Sequence, residues 1–312
     1  MITFLSGGTG TPKLIQGFRH ILQDSQISII ANSADDIEIY GLYVSPDIDT
    51  IIYLFSNHLD TEKYWGVLDD SYNTLEYLKL LGYETWFKIG DKDFATHLFR
   101  KEQIMKGKKP SEIIDLICHK LEVKSKIFPS SDTHIETRIK THKGEDIHFQ
   151  EFWVREKGEI DIEEIYVENI KNAQTPRSAL DVIDENKITI IGPSNPVTSI
   201  RPIINIKEIE AKLAKNKEKS IAISPIIGGA PISGPTAKLM KTMNIEVSSV
   251  EIAKMYQDIC STFIIDKTER ALAPKIVRET GLEVLTEDIL FRDSKIAKNL
   301  AKKILDREFP NE

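Results

Sequence analysis

Short apolar runs divide this 312-residue chain into a repeating pattern of buried strands and amphipathic segments. The runs that predict strands are residues 2–5, 27–31, 188–191, 221–224 and 262–266, the last of which is the final strand that the pattern predicts. An amphipathic stretch, residues 14–22, separates the first two runs and predicts a helix. Strand, helix and strand in about thirty residues form a βαβ unit, which implies a parallel sheet.

The pattern changes in the middle of the chain. Residues 44–106 are mainly helical in pattern, and Ser111 is a candidate N-cap for a helix that runs to about residue 121. Residues 134–141 and 147–154 alternate between apolar and polar positions around Lys143-Gly144-Glu145, which predicts a β-hairpin. We therefore expect an α/β fold: a single Rossmann-like, doubly wound domain (1–312) with a mostly parallel sheet. Residues 44–155 form an expected insertion, made of a helical segment and the hairpin.

Composition narrows the class of protein. Hydrophobic residues make up 41% and charged residues 29% of the chain, which is ordinary for a soluble globular protein. A net charge of −7 argues against nucleic acid as the main partner. No apolar run is long enough to span a membrane, the start does not resemble a signal peptide, and Cys118 and Cys260 have no metal-site spacing. We expect a cytoplasmic protein with two reduced thiols and no membrane partner.

A glycine-rich loop follows the first strand. It reads Ser6-Gly7-Gly8-Thr9-Gly10-Thr11-Pro12-Lys13, and its proline suits the first turn of a helix. Free N–H groups at a helix start attract anions, so this loop predicts a phosphate site formed by Gly8, Thr9, Gly10, Thr11 and Lys13. The loop lacks the third glycine of the dinucleotide fingerprint and does not match the Walker A pattern. The alternative is a turn that merely joins strand to helix.

Three further loops carry ligand-like residues near predicted strand ends. Asn32 and Asp36 follow the second strand, and Gly192, Ser194 and Asn195 follow the strand at 188–191. The third of these loops spans residues 224–235 and brings the total, with the glycine loop, to four. Loops at the carboxyl ends of parallel strands converge, so the four can enclose one nucleotide-sized ligand. The alternative for 192–196 is a proline-rich turn.

Two acidic loops, 45–49 and 88–93, add candidate chemistry. Asp47 and Asp49 can supply the oxygen ligands that Mg²⁺ prefers, although Asp49 is also placed to cap the next helix. His97 lies four residues after Asp93, a spacing compatible with metal binding, but no third ligand accompanies them, so an ordinary hydrogen-bonded histidine is favoured. The aromatic residues Trp65, Tyr72, Trp86 and Phe87 are candidates for a ligand wall or for the core.

Five motifs in order resemble the 2-phospho-L-lactate transferase (CofD) family across residues 2–266. They are the glycine loop, Ser45-Pro46-Asp47-Ile48-Asp49-Thr50, Gly90-Asp91-Lys92-Asp93-Phe94-Ala95-Thr96-His97, Gly192-Pro193-Ser194-Asn195-Pro196 and Ser224-Pro225-Ile226-Ile227-Gly228. The resemblance implies an enzyme of coenzyme F420 biosynthesis. Such an enzyme transfers a phospholactyl group from lactyl-2-diphospho-5′-guanosine to the deazaflavin Fo (7,8-didemethyl-8-hydroxy-5-deazariboflavin), releases GMP and requires Mg²⁺.

The resemblance also implies roles for particular residues. Asp49 and Lys88, with Asp91 beside them, are expected to contact Fo. From their residue types, Asp47 and Asp49 are the expected catalytic residues and Mg²⁺ ligands, and Asp36 is an alternative to Asp47 as a ligand or a general base. The insertion 44–155 is expected to cover the acceptor site. Lys92 stands where the family has an arginine, which puts any reading of a phosphate or carboxylate by that side chain in doubt. A phosphoenolpyruvate-derived donor stays open beside the lactate donor.

Two rival functions remain at this stage. One is a noncatalytic regulator of the gluconeogenesis-factor type, which binds UDP-linked sugars with the same fold; the segment 45–55 favours the transferase. The other is a nicotinamide-dependent oxidoreductase, which the missing third glycine disfavours. Soluble enzymes of this size often form symmetric dimers, so a homodimer is expected.

Overall fold

A parallel sheet of seven strands forms the centre of the computed structural model, which describes residues 1–232 and 234–310. In chain order the strands are β1 (Ile2–Ser6), β2 (Ile27–Ala31), β3 (Ile37–Ile39), β4 (Leu42–Val44), β5 (Lys126–Pro129), β6 (Glu136–Thr141), β7 (Asp146–His148), β8 (Ile162–Glu168), β9 (Ile188–Ile191), β10 (Ser220–Ile223), β11 (Ile226–Ile227), β12 (Ala230–Pro231), β13 (Thr262–Asp266) and β14 (Glu283–Glu287).

The helices complete the described chain. They are α1 (Gly10–Arg19), α2 (Pro46–Phe55), α3 (Asn73–Leu80), α4 (Asp91–Met105), α5 (Pro110–Lys120), α6 (Arg177–Glu185), α7 (Arg201–Ile204), α8 (Lys207–Lys215), α9 (Thr236–Thr242), α10 (Ser249–Tyr256), α11 (Ala273–Thr280) and α12 (Ser294–Glu308). Two π-helical turns occupy Glu151–Arg155 and Pro196–Ile200.

Helices cover both faces of the central sheet. Successive residues of a strand point to opposite faces, and on β1 both Phe4 and Leu5 are fully buried. Phe4 belongs to a core cluster with α1, α2, α5 and α12, whereas Leu5 belongs to a second cluster with α6 to α11. Burial on both faces explains why the central strands are continuous apolar runs. The expected doubly wound α/β fold is confirmed.

The order of the strands fixes where a ligand can bind. The central sheet has the order β14-β13-β10-β9-β1-β2-β5, with every neighbouring pair parallel. The chain winds from β1 to β2 in one direction, while β9 lies on the other side of β1. Ligands of such sheets bind where the winding reverses, beyond the carboxyl ends of the strands. The loops after β1 and β9 therefore flank the expected crevice.

The predicted hairpin was wrong in its second arm. Pairing between β6 and β7 ends at His148, and the chain then forms the π-helical turn. Phe149 and Phe152, three residues apart, are both buried in the core, a spacing that suits a helical turn and not a strand. The third strand of this small sheet is β8, which pairs with β6. The sequence pattern did not predict it.

Other elements also differ from the sequence-based expectation. Strand β14 pairs with β13 at the edge of the sheet, so residues 262–266 are not the last strand. Strand β5, inside the range 44–155, pairs with β2 in the central sheet. Ser111 does not cap a helix, because α5 begins one residue earlier and the serine N–H and hydroxyl bind Asp132.

The crossing of α1 and α12 depends on Gly17. A Cβ at this position would lie 2.3 Å from the backbone carbon of Ala297, closer than any real contact. We predict that Gly17→Ala lowers the free energy of unfolding by about 1–3 kcal/mol despite the better helix propensity of alanine. Urea unfolding measures the change. The exposed Lys298→Ala on α12 is the control, and equal stability of the two variants would contradict the steric account.

Candidate active site

A cavity of about 710 Å³ lies beyond the carboxyl ends of β1, β2 and β9. Of the residues predicted from sequence to form a site, eight line it: Gly8, Thr9, Gly10, Asp47, Asp49, Lys88, Ser194 and Asn195. These residues come from four separate segments of the chain. The cavity is thus the place where the predicted loops converge.

The loops after β1 and β9 pack backbone against backbone. A Cβ on Gly10 would lie 2.2 Å from the carbonyl oxygen of Pro193, and a Cβ on Gly192 would lie 2.0 Å from the Thr11 hydroxyl oxygen. The Thr11 and Ser194 hydroxyls lie 2.7 Å apart, and the Ser194 hydroxyl also donates to the Gly7 carbonyl. Thr11 and Gly192 therefore fasten the two loops together, and neither lines the cavity.

The glycine loop holds a carboxylate in place. Gly8 has a positive φ of 54°, and its N–H donates to Asp47 Oδ1 at 2.7 Å. Asn32 donates to the other oxygen, Asp47 Oδ2, at 3.0 Å and also to the Thr198 carbonyl. Asn32 is fully buried and does not line the cavity. Its role in the structure is to orient Asp47, not to line the space in which a ligand would lie.

Asp35 lies near Asp47. The sequence pattern favours its neighbour Asp36, not Asp35, as a site residue. Asp35 lines the cavity, is 4% exposed, and its Oδ1 has no hydrogen-bond partner in the described chain. Burial, with Asp47 and Asp36 nearby, raises the pKa of Asp35 well above its ordinary value. Burial also raises the pKa of Asp47 to about 6. A cation bound between these two buried carboxylates would stabilise their charged forms, so the pair is a candidate to hold one.

Asp36 points away from the cavity. Its Oδ2 accepts a hydrogen bond from the Ser45 hydroxyl at 2.9 Å, and burial raises its pKa to about 8. Its carbonyl accepts from His148 Nε2 at 3.1 Å, which ties the loop after β2 to the small sheet. The expected direct contact between Asp36 and a nucleotide therefore has no support in the position of its side chain.

Asp49 belongs to a buried ion-pair network. Both of its oxygens face the guanidinium of Arg100, which is 3% exposed, and Oδ2 also accepts from the Ser45 N–H. Arg100 donates to His97 Nδ1 at 2.9 Å, and His97 Nε2 lies 3.2 Å from Asp93 Oδ1. With both oxygens bound in this network, Asp49 is less available to a metal than Asp47, and its expected role as a metal ligand stays a prediction. His97 has the hydrogen-bonded role that its sequence favoured.

Aromatic side chains form a large part of the cavity lining. All three tryptophans of the chain, Trp65, Trp86 and Trp153, belong to it, together with Phe87 and Phe149. Trp65 and Trp153 are each 40% exposed, which is high for such large apolar side chains. We call the part lined by Tyr53, Trp86, Phe87, Lys88, Phe149, Gln150, Trp153 and Val154 the aromatic pocket. A flat apolar ligand fits such a lining.

Three predicted charged residues have other roles. Lys13 lies with its ammonium 5.0 Å from the centre of the Tyr64 ring, outside the cavity lining. Asp91 also lies outside that lining and accepts hydrogen bonds from the Ser71 hydroxyl and from backbone and side-chain groups of residues 73–74; these bonds lower its pKa. Lys92 donates to the carbonyls of residues 68 and 69. Asp91 and Lys92 therefore organise the loop before α4.

Several lining residues were missed by the sequence analysis. Asp35 is adjacent to the chosen Asp36, and only the fold shows which of the two faces the cavity. Phe149, Gln150 and Trp153 were hidden because their segment was predicted to be a strand. Thr198 and Ser199 also line the cavity, and no local motif marks them as ligand contacts, whereas Pro225 lies in the predicted loop 224–235.

Residues 1–232 and 234–310 contain neither a membrane-spanning helix nor a cluster of metal-binding side chains. No helix there is both long and apolar enough to cross a bilayer. No group of three or more His, Cys, Asp or Glu side chains is arranged to hold a metal ion. Cys118 and Cys260 are both buried free thiols, and burial raises the pKa of each to about 12.

Comparison with known proteins shows the family of this chain. The family model described as 2-phospho-L-lactate transferase CofD matches residues 2–302. A 2-phospho-L-lactate transferase from Methanospirillum hungatei is 44% identical over 309 residues, covering 98% of this chain and 100% of the relative. Another from Methanococcus maripaludis is 40% identical over 311 residues, covering 98% of each chain.

A solved structure shares the fold. A UPF0052 family protein from Bacillus halodurans aligns with a TM-score of 0.60 at 14% identity, covering 97% of this chain and 98% of the other. At that identity the likeness concerns the fold alone. The family match and the 36–44% identical relatives carry the stronger statement. This chain belongs to the CofD family of 2-phospho-L-lactate transferases and is an enzyme of the transferase class.

Proposed function

We propose that this enzyme transfers a 2-phospholactyl group from lactyl-2-diphospho-5′-guanosine to the deazaflavin Fo, giving coenzyme F420-0 and GMP, with Mg²⁺ bound. The observation that carries the proposal is the single cavity in which a phosphate loop, a carboxylate pair and an aromatic pocket meet. A transferase needs its donor and its acceptor in one enclosed space.

The donor half of the cavity suits a nucleoside diphosphate. Gly8, Thr9 and Gly10 lie at the start of α1, where N–H groups and the helix dipole favour phosphate oxygens. Ser194 and Asn195 come from the loop after β9, on the other side of the crevice. Asn195 Oδ1 already accepts from the N–H groups of residues 197 and 198, so its amide N–H₂ is the part left for the guanine or ribose.

The acceptor half suits the planar deazaflavin. Its ring would lie in the aromatic pocket, with its ribityl chain directed at Asp35 and Asp47. The terminal ribityl hydroxyl attacks the phosphorus that bears lactate, forming a new P–O bond. The bond from that phosphorus to the bridging oxygen breaks, GMP leaves with the bridging oxygen, and one proton is released. Such a reaction depends on positioning and on charge neutralisation more than on covalent catalysis.

Asp35 and Asp47 would hold the Mg²⁺. Mg²⁺ takes one or two carboxylates and completes its shell with phosphate oxygens and water, so a pair of carboxylates is sufficient. The unpartnered, buried Oδ1 of Asp35 fits a missing ligand. The ion would supply neutralisation of the diphosphate charge. Asn32 and the Gly8 N–H keep Asp47 oriented for this role.

The regulator alternative fits the cavity less well. A protein that only binds a nucleotide sugar needs a nucleotide site, and the aromatic pocket has no part in that task. The cytoplasmic location, the homodimer and the choice of lactate over a phosphoenolpyruvate-derived donor stay predictions.

The loop contact at Gly10 should control nucleotide binding. We predict that Gly10→Ala weakens GDP affinity at least about tenfold, because the new Cβ must push away the Pro193 backbone. Isothermal titration with GDP measures this. Gly82→Ala, where a Cβ meets open space, is the control for general backbone strain. Unchanged GDP affinity in folded Gly10→Ala would refute the assigned phosphate site.

The carboxylate pair should control metal binding. We predict that Asp35→Asn and Asp47→Asn each weaken Mn²⁺ binding in the presence of GDP and lower kcat/KM on the order of a hundredfold, because each removes a ligand charge. Paramagnetic resonance of Mn²⁺ and a transfer assay supply the two readouts. The exposed Asp258→Asn should match the parent protein. Parent-like Mn²⁺ affinity in both site variants would exclude this pair as ligands.

The Arg100 contact should control the acceptor side. We predict that Arg100→Lys weakens Fo binding about tenfold and leaves GDP binding unchanged, because lysine cannot hold both oxygens of Asp49. Fo fluorescence quenching and GDP titration measure the two affinities. Glu102→Gln, at an exposed position two residues along α4, is the matched control. Full Fo affinity in a folded Arg100→Lys protein would separate Asp49 from the acceptor site.

A further inference from the structure

Gln150 is a buried side chain in the aromatic pocket whose polar atoms are free. It is 8% exposed and lines the cavity. Its side-chain amide makes no hydrogen bond to any part of the chain that the structure describes. The amide atoms are not sealed in the protein interior but reach the cavity surface, where a ligand can take the place of water at both the donor and the acceptor.

The backbone at Gln150 is held firmly although its amide is free. Its N–H donates to His148 Nδ1 at 2.9 Å, and His148 Nε2 donates to the Asp36 carbonyl at 3.1 Å. Burial lowers the pKa of His148, so the ring stays neutral and keeps both contacts at neutral pH. These two hydrogen bonds fix Gln150 relative to the loop after β2, which carries Asp35.

The rest of the turn also supports this placement. Phe149 and Trp153, on either side of Gln150, line the cavity, while Phe152 is fully buried in the core. Arg155 forms an ion pair with Glu84, two residues before Trp86, at 2.9 Å. π-Helical turns of this kind are frequent at functional sites.

The polar side chains that α2 brings to the cavity are already occupied. The Tyr53 hydroxyl donates to Asp93, and the Thr50 hydroxyl donates to the Pro46 carbonyl. Asp49 is paired with Arg100. Gln150 thus brings to the pocket an uncharged donor and an uncharged acceptor, side by side and both available.

We infer that Gln150 recognises the imide edge of the acceptor's pyrimidinedione ring. The inference rests on the proposed function, in which Fo occupies the aromatic pocket. A primary amide presents one N–H donor and one C=O acceptor in a plane, and the imide edge presents a C=O acceptor beside an N–H donor. The two groups therefore form a coplanar pair of hydrogen bonds while the ring lies among aromatic side chains. Gln150 becomes a specificity residue that selects deazaflavin-like rings over aromatic rings without an imide.

The test compares Gln150→Met with the parent protein, because methionine keeps the shape of glutamine and removes both polar atoms. Fo and Fo methylated at the imide nitrogen are titrated by fluorescence in the presence of GDP and Mg²⁺. We expect Gln150→Met to bind Fo about ten- to thirtyfold more weakly and to bind the methylated ring as the parent does. GDP affinity should be unchanged, which also shows that the variant is folded.

Two results would overturn the inference while the proposed function stands. One is parent-like Fo binding by Gln150→Met. The other is that Gln150→Met loses the same affinity for Fo and for its methylated form. If that loss disappears when the ribityl chain is truncated to a methyl group, Gln150 contacts the polyol and not the imide edge. If the parent protein itself does not bind Fo, the proposed function fails together with this inference.

Discussion

The close packing of two loops, one after β1 and one after β9, is the constraint on which the site depends. Gly10 lies against the Pro193 backbone and Gly192 lies against Thr11, with no room for a Cβ at either contact. This packing occurs where the winding of the sheet reverses. It brings the phosphate loop and the loop of Ser194 and Asn195 to the two sides of one crevice, so both can contact one diphosphate ligand.

Hydrogen bonds connect the other parts of the site to this crevice. The Gly8 N–H and Asn32 orient Asp47 beside Asp35, and the same loop after β2 is tied to the small sheet through His148. The turn that carries Gln150 continues from that sheet into the aromatic pocket. The glycine loop, Asp47 and the turn beside the aromatic pocket are therefore held in place by hydrogen bonds, and segments outside the central sheet supply the aromatic side chains.

The sequence was sufficient for features that local patterns encode. Continuous apolar runs predicted five central strands, and the residues Gly8, Gly10, Asp47 and Asp49 were recognised because each lies in a compact motif. It was insufficient where long-range packing decides. The edge strand β14 is only half-buried, and residues 147–154 alternate like a strand although Phe149 and Phe152 are buried at helical spacing. Asp35 and Asp36 are neighbours in sequence, and only the fold turns one toward the cavity.

In the function that we propose, donor and acceptor meet in this cavity and exchange the phospholactyl group. The most direct measurement incubates the protein with Fo, lactyl-2-diphospho-5′-guanosine and Mg²⁺, and quantifies F420-0 and GMP by chromatography. We expect the two products to appear in equal amounts and neither to form when Fo is omitted. GMP release that does not depend on Fo, or the absence of both products while the protein binds a UDP-sugar, would contradict this function.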